Sequence, residues 1–137
     1  MDASKSIPMS GRFLLDSNIV IAIFAEEPAV LEHLAAAEGV FVPAVALGEL
    51  YYGARKSVRA ETNIVRIDEF AAAAAVLGCD TVTAQHYGRI KDDLRAKGRP
   101  IPENDIWVAA VAVQYALTVV SRDEHFAQVT DLPREVW

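Results

Sequence analysis

Three observations predict an α/β protein, a three-layer α/β/α domain around a central parallel sheet of four to five strands. Strand-like and helix-like stretches alternate along the chain. The strand-like stretches are continuously apolar rather than alternating, as in a sheet covered on both faces. At 137 residues, 53% of them hydrophobic, the chain matches one domain with a sizeable core and leaves little room for a second.

The elements follow in order. Residues 1–11 (MDASKSIPMSG) are polar and lack a signal-peptide apolar segment, so they predict a flexible N-terminal tail before a domain spanning 12–137. GRFLLD (11–16) reads as a short buried strand, and helical spacing takes over at Ser17. Residues 26–39 predict a helix with Pro28 near its start and Gly39 as its stop. VFVP (40–43) is a second strand, and 43–57 a helix carrying Val45, Leu47, Leu50 and Tyr51. A long helix is expected from Arg59 to about Leu77, then a third strand in CDTVT (79–83). Residues 84–98 are amphipathic, with Tyr87, Ile90 and Leu94 on one face and Gly98 as the stop. Residues 102–116 are apolar nearly all round, hence a buried helix. LTVVS (117–121) is a fourth strand, and the terminal VTDLPREVW offers a short edge strand.

Composition removes several function classes. The formal charge of −6 argues against an architectural DNA binder, though not against an enzyme that meets phosphates through a bound cation. No stretch reaches the ~18 apolar residues of a membrane span. The single cysteine, Cys79, excludes an internal disulfide, fits a reducing cytoplasm, and is expected to be a buried structural thiol. No G-x-G-x-x-G follows the first strand, so a dinucleotide fold is excluded. A phosphotransfer role for Asp16 lacks both the second acid of a D-x-D pattern and a lysine after the late strand. His33, His86 and His125 show no metal-type spacing and no serine or cysteine partner.

The acids are the informative residues. Function in an open parallel sheet gathers at the carboxyl ends of the strands. Asp16 ends the first strand and Asp123 follows the fourth. From Asp105 to Ala116 is about 17 Å of helix at ~1.5 Å per residue. The returning strand covers about 16 Å at ~3.3 Å per residue. The lengths cancel, and Asp105 returns to the edge where Asp123 lies. Glu49 sits about two turns into its helix and leans back toward the same edge. Four carboxylates so placed raise one another's pKa unless a cation intervenes. Oxygen-only ligands suit a hard divalent ion, Mg²⁺ or Mn²⁺. Each acid also has an ordinary explanation: a helix cap for Asp16, a first-turn charge for Asp105, a turn acid for Asp123, a solvated face for Glu49.

Taken together, LLDSN with Asp16, ALGELYYG with Glu49, ENDIWVAAVA with Asp105 and VVSRDEHF with Asp123 resemble a PIN-domain ribonuclease, most nearly the VapC-type toxins of bacterial toxin–antitoxin pairs. The likeness spans about residues 12–130. It implies a Mg²⁺-dependent endoribonuclease in which Asp16, Glu49, Asp105 and Asp123 bind metal and position the attacking water. It also implies a homodimer and an antitoxin whose C-terminal segment blocks the site. The competing expectation is a catalytically silent PIN-like module that only binds protein or RNA. Trp107, where a smaller aliphatic is commoner, and the long N-terminal stretch depart from the family pattern.

The neighbours of the acids carry two readings each. Ser17, Asn18, Asn104 and Ser121 can orient the ligands or simply cap. Arg89, Arg99 and Arg122 can meet RNA phosphates or join salt bridges. Tyr51 and Tyr52 can stack on bases or pack, and Gly48 and Gly53 suggest a closely approaching helix, within the domain or across a dimer.

Overall fold

The computed structural model describes residues 11–137. The tail expectation lies outside the described residues except for Gly11. That residue is tied down: its carbonyl accepts from the Glu38 and Gly39 amides at 2.9 and 3.3 Å. Its φ of +72° and the Glu38 carboxylate 2.5 Å from an added Cβ explain the glycine.

The chain runs β1 (Arg12–Leu15), α1 (Ser17–Phe24), α2 (Pro28–Ala36), β2 (Gly39–Pro43), α3 (Ala44–Arg55), α4 (Ala60–Ala73), β3 (Ala75–Leu77), α5 (Thr81–Lys97), α6 (Glu103–Tyr115) and β4 (Thr118–Val120). A 3₁₀ turn at Glu124–Gln128 and β5 (Arg134–Glu135) complete it. The five strands form one sheet in the order β3-β2-β1-β4-β5. Every pairing is parallel, as the continuous apolar runs require.

Alternation along the central strand divides the core in two. Phe13 and Leu15 face one layer with Val42, Ile19, Val20, Leu50 and Ile67. Leu14 faces the other with Val119, Ile90, Leu94, Phe126 and the buried stripe of α6 from Ile106 to Ala112. This makes three layers of α, β and α.

Four local expectations are corrected. The third strand is Ala75–Leu77, and the helix before it stops at Ala73 rather than near Leu77. Residues 79–83 do not form a strand. Asp80 Oδ1 accepts from the Thr83 amide (3.1 Å) and Thr83 Oγ1 accepts from the Asp80 amide (2.9 Å), a capping box that starts α5. Capping chemistry outweighs the β-branched residues that suggested a strand. Gly39 does not stop a helix; it opens β2, α2 having ended at Ala36. Cys79, expected to be buried, is exposed in the loop before α5. Partial desolvation and the neighbouring Asp80 charge nevertheless raise its thiol pKa, the wrong direction for a nucleophile.

Gly48 and Gly53 also differ from the within-domain expectation. Nothing among the described residues lies within 4 Å of a Cβ added at either. Trp107 is accommodated by stacking on Tyr87, centroids 4.0 Å apart and planes 15° apart. Tyr87 in turn hydrogen-bonds Glu103.

Candidate functional site

The carboxyl ends of β1 and β4 are joined by a hydrogen bond from the Asp16 amide to the Val120 carbonyl (3.0 Å). Each strand then delivers a polar residue into the joint. Asp16 is 4% exposed and Ser121 is 3% exposed. Asp16 Oδ1 accepts from the Ser17 amide (2.9 Å) and Oδ2 from the Ser121 hydroxyl (2.8 Å). Ser121 Oγ also accepts from Asn18 Nδ2 (3.2 Å) and from the Asp123 amide (3.0 Å). Asn18 Oδ1 accepts from the Arg122 amide at 3.1 Å. Ser17, Asn18 and Ser121 therefore hold Asp16 and the Asp123 backbone in a fixed relation.

Asp105 enters from the first turn of α6 and is also buried. Asp123 caps the 3₁₀ turn, its Oδ1 accepting from the His125 amide at 3.0 Å. His125 Nδ1 lies between the two acids, 2.9 Å from Asp105 Oδ2 and 2.8 Å from Asp123 Oδ1. One donor atom from each of these three residues lies within 4.8 Å of the others, a spacing able to hold a metal ion. Glu49 approaches from α3. Its Oε2 accepts from Asn104 Nδ2 at 3.4 Å, and its Oε1 is buried with no hydrogen-bond partner among the described residues.

Asp16, Glu49 and Asp105 each feel neighbouring carboxylates. Burial pushes the Asp105 carboxyl up to about 6, the His125 contact opposes the rise, and the Asp16 and Asp123 charges add to it. Burial likewise raises Asp16, against its serine bonds and with help from Asp123. Glu49 is raised mainly by burial, opposed by its Asn104 bond and the nearby Ser17 hydroxyl, with the Asp16 and Asp123 charges adding to the rise. His125 is held above its usual range mainly by its contact with Asp105. No lysine or arginine offsets these carboxylates; His125 is their one neighbour of opposite charge among the described residues. The arrangement concentrates negative charge at one edge of the sheet.

The structure thus brings Asp16, Glu49, Asp105 and Asp123 to one edge, along with Ser17, Asn18, Asn104 and Ser121. The capping roles coexist with that convergence, since Asp16 and Asp123 both cap. Arg122 faces elsewhere, gripping Glu27 at 2.6 and 3.3 Å and the Trp137 carbonyl at 3.1 Å. Arg89 contacts His86 at 3.0 Å. The Arg99 side chain has no hydrogen bond or ion pair among the described residues. His125, which shows no metal-type spacing in the sequence, nonetheless stands between Asp105 and Asp123. The available signal was D-E-H: an Asp that caps a turn sets the residue two positions on beside its own carboxylate.

Beside the carboxylates lies a groove of about 500 Å³ between α1, α3 and α4, lined by Ser17, Glu49, Ile21, Phe24, Leu50 and Arg66 among others. Ile21 is 56% exposed in its wall.

Among the described residues no helix is long and apolar enough to cross a membrane. Residues 13–132 match the PIN domain family. The chain is 37% identical over 131 residues to Ribonuclease VapC2 of Haemophilus influenzae, covering 92% of this chain and 98% of that protein. It is 35% identical over 129 residues to the tRNA(fMet)-specific endonuclease VapC of Shigella flexneri, with the same coverage. The crystal structure of DNA-bound VapBC from Salmonella typhimurium superposes with a TM-score of 0.84 at 29% identity, covering 92% of this chain and 98% of that one. A site at the carboxyl edge of a parallel five-stranded sheet, with a family match over nearly its full length, leaves one conclusion: the chain belongs to the PIN-domain family, among the VapC proteins.

Proposed function

We propose that this protein is a divalent-metal-dependent endoribonuclease, acting on RNA phosphodiester bonds as the toxin of a toxin–antitoxin pair in the cytoplasm. The carrying observation is the convergence of four carboxylates from four segments with His125 as their one opposite charge. The residues fit a hard cation. The donors are mostly oxygen, burial and neighbouring charges raise the Asp16, Glu49 and Asp105 carboxyls, and Glu49 Oε1 is a buried acceptor without a hydrogen-bond partner among the described residues.

Asp16, Glu49, Asp105 and Asp123 would hold Mg²⁺ or Mn²⁺. Such an ion supplies neutralisation of a phosphodiester and acidification of an attacking water. Ser121 and the Ser17 amide fix the Asp16 carboxylate so that it need not reorganise when a cation enters. Asn104 fixes one Glu49 oxygen and leaves the other without a hydrogen-bond partner among the described residues, free to face the cation. Arg99, exposed in the loop between α5 and α6, is a candidate contact for an RNA phosphate.

The antitoxin belongs to the same proposal. Similar solved structures are VapBC complexes, and the groove beginning at Ser17 and Glu49 would seat a partner segment whose end reaches the carboxylates. A homodimer is proposed with it, for which light scattering of the purified protein is the test.

The deciding experiment is cleavage of cellular RNA by the antitoxin-free protein with Mg²⁺, with EDTA, and with Asp16→Asn. Initiator tRNA is the first single substrate to try, since the Shigella relative is named for it. Discrete fragments lost in both controls support the proposal. A folded protein that binds metal and cuts no RNA is the silent binding module instead.

A further inference from the structure

The oxygen-only donor set expected from the sequence omits a nitrogen that the fold places among the acids. We propose that His125 Nδ1 is itself a ligand of the metal held by Asp105 and Asp123, giving a mixed nitrogen and oxygen site that prefers Mn²⁺ to Mg²⁺. This rests on the reading of the site as a metal centre and goes beyond it in naming the ligand and the selectivity.

Geometry carries the assignment. An octahedral ion with donors at about 2.1 Å sets neighbouring donors about 3 Å apart. Nδ1 lies 2.9 Å from Asp105 Oδ2 and 2.8 Å from Asp123 Oδ1, matching two such edges. A single ring nitrogen has one proton or one lone pair, yet it faces two carboxylates. One cation within reach of all three atoms satisfies them together. The ring is held rather than wandering: the His125 amide is bound by Asp123 Oδ1, and the next residue, Phe126, is 1% exposed in the core. A ligand anchored on both sides loses little entropy on binding. The ring is 46% exposed, which lets Nε2 keep its proton against water while Nδ1 coordinates.

The chemistry then sets the preference. Carboxylate and water donors suit Mg²⁺, whereas imidazole shifts a site toward transition ions. Asp16 and Glu49 remain oxygen donors close by, so the site stays hard enough for Mn²⁺.

The test is metal binding by the apo protein, read without any RNA. The full chain is stripped with EDTA, dialysed, and titrated with MnCl₂ by electron paramagnetic resonance, with MgCl₂ as competitor. Electron spin echo modulation of the Mn²⁺ complex then reports directly bound nitrogen, in unlabelled protein and in protein carrying ¹⁵N-histidine. The expected result is a ¹⁴N coupling that converts to ¹⁵N on labelling and disappears in His125→Gln. In that variant Mn²⁺ affinity falls about tenfold or more and Mg²⁺ affinity by less than about threefold. Histidine labelling decides the question even if His125→Gln does not fold. Tight Mn²⁺ binding with no histidine nitrogen coupling overturns the inference and leaves the metal reading standing. No binding of either ion at millimolar concentration overturns both.

Discussion

Asp105→Asn should stabilise the metal-free protein, and the gain should depend on pH. Asp105 is buried in the first turn of α6, and its carboxyl is pushed from 3.8 to about 6 in the folded state. A raised acid pKa means that the folded chain binds the proton more tightly than the unfolded chain. The associated stability is complete below about pH 4 and is lost as pH rises through 6. The rise from 3.8 to about 6 corresponds to about 3 kcal/mol at pH 7.5, an upper value because solvent reaching this edge of the sheet screens part of the charge. Asparagine keeps the shape and removes the charge, so the variant should gain up to that amount at pH 7.5 and almost nothing at pH 4. Urea unfolding of both proteins in EDTA, from pH 4 to 8, measures it. Saturating Mn²⁺ should reverse the order, because the ion stabilises only a chain that can bind it. A stability difference that stays flat across the pH range would refute the electrostatic account of the site.

Asp16→Asn should reduce RNA cleavage by at least about a hundredfold with the fold retained, checked by initial rates beside circular dichroism. Ser121→Ala removes the hydroxyl shared by Asp16, Asn18 and the Asp123 amide. It should weaken Mn²⁺ binding by about ten- to a hundredfold and lower stability by about 1–3 kcal/mol, read by paramagnetic titration and urea melts. Phe126→Ala empties a fully buried site behind the 3₁₀ turn. Its expected cost is about 3–5 kcal/mol by the same melts, with metal affinity falling in parallel as Asp123 and His125 lose their support.

The sheet and the acid cluster were legible in the sequence for the same reason. Continuous apolar runs ending in a polar residue, such as FLLD and TVVS, mark both a buried parallel strand and the edge where it ends. Asp105 was placed by length alone, since α6 and the strand after it nearly cancel. What escaped was decided by contacts distant in sequence or by capping. Asp80 and Thr83 reassigned a β-branched stretch to a helix start. His125 meets Asp105 across twenty residues, a spacing no metal motif contains. The Arg122 fork looked available for RNA and is instead occupied by Glu27, distant in the chain. Gly48 and Gly53 suggested a close neighbour, but the described residues leave their surroundings open.

The strand order has a consequence in time. β1 emerges early from the ribosome, yet its neighbour β4 comes more than a hundred residues later. Until β4 is made, Asp16 has neither the Ser121 hydroxyl nor the company of Asp105 and Asp123. At roughly 5–20 residues per second, about ninety residues separate the first acid from the third by about 5–18 s of synthesis. By the end of that interval the nascent chain has only the β1–β2–β3 half of the sheet, and α6 has no β4 to turn back into. The four-carboxylate cluster at this edge is therefore complete only in the finished chain, assembled late and in one step when the long-range pairing closes.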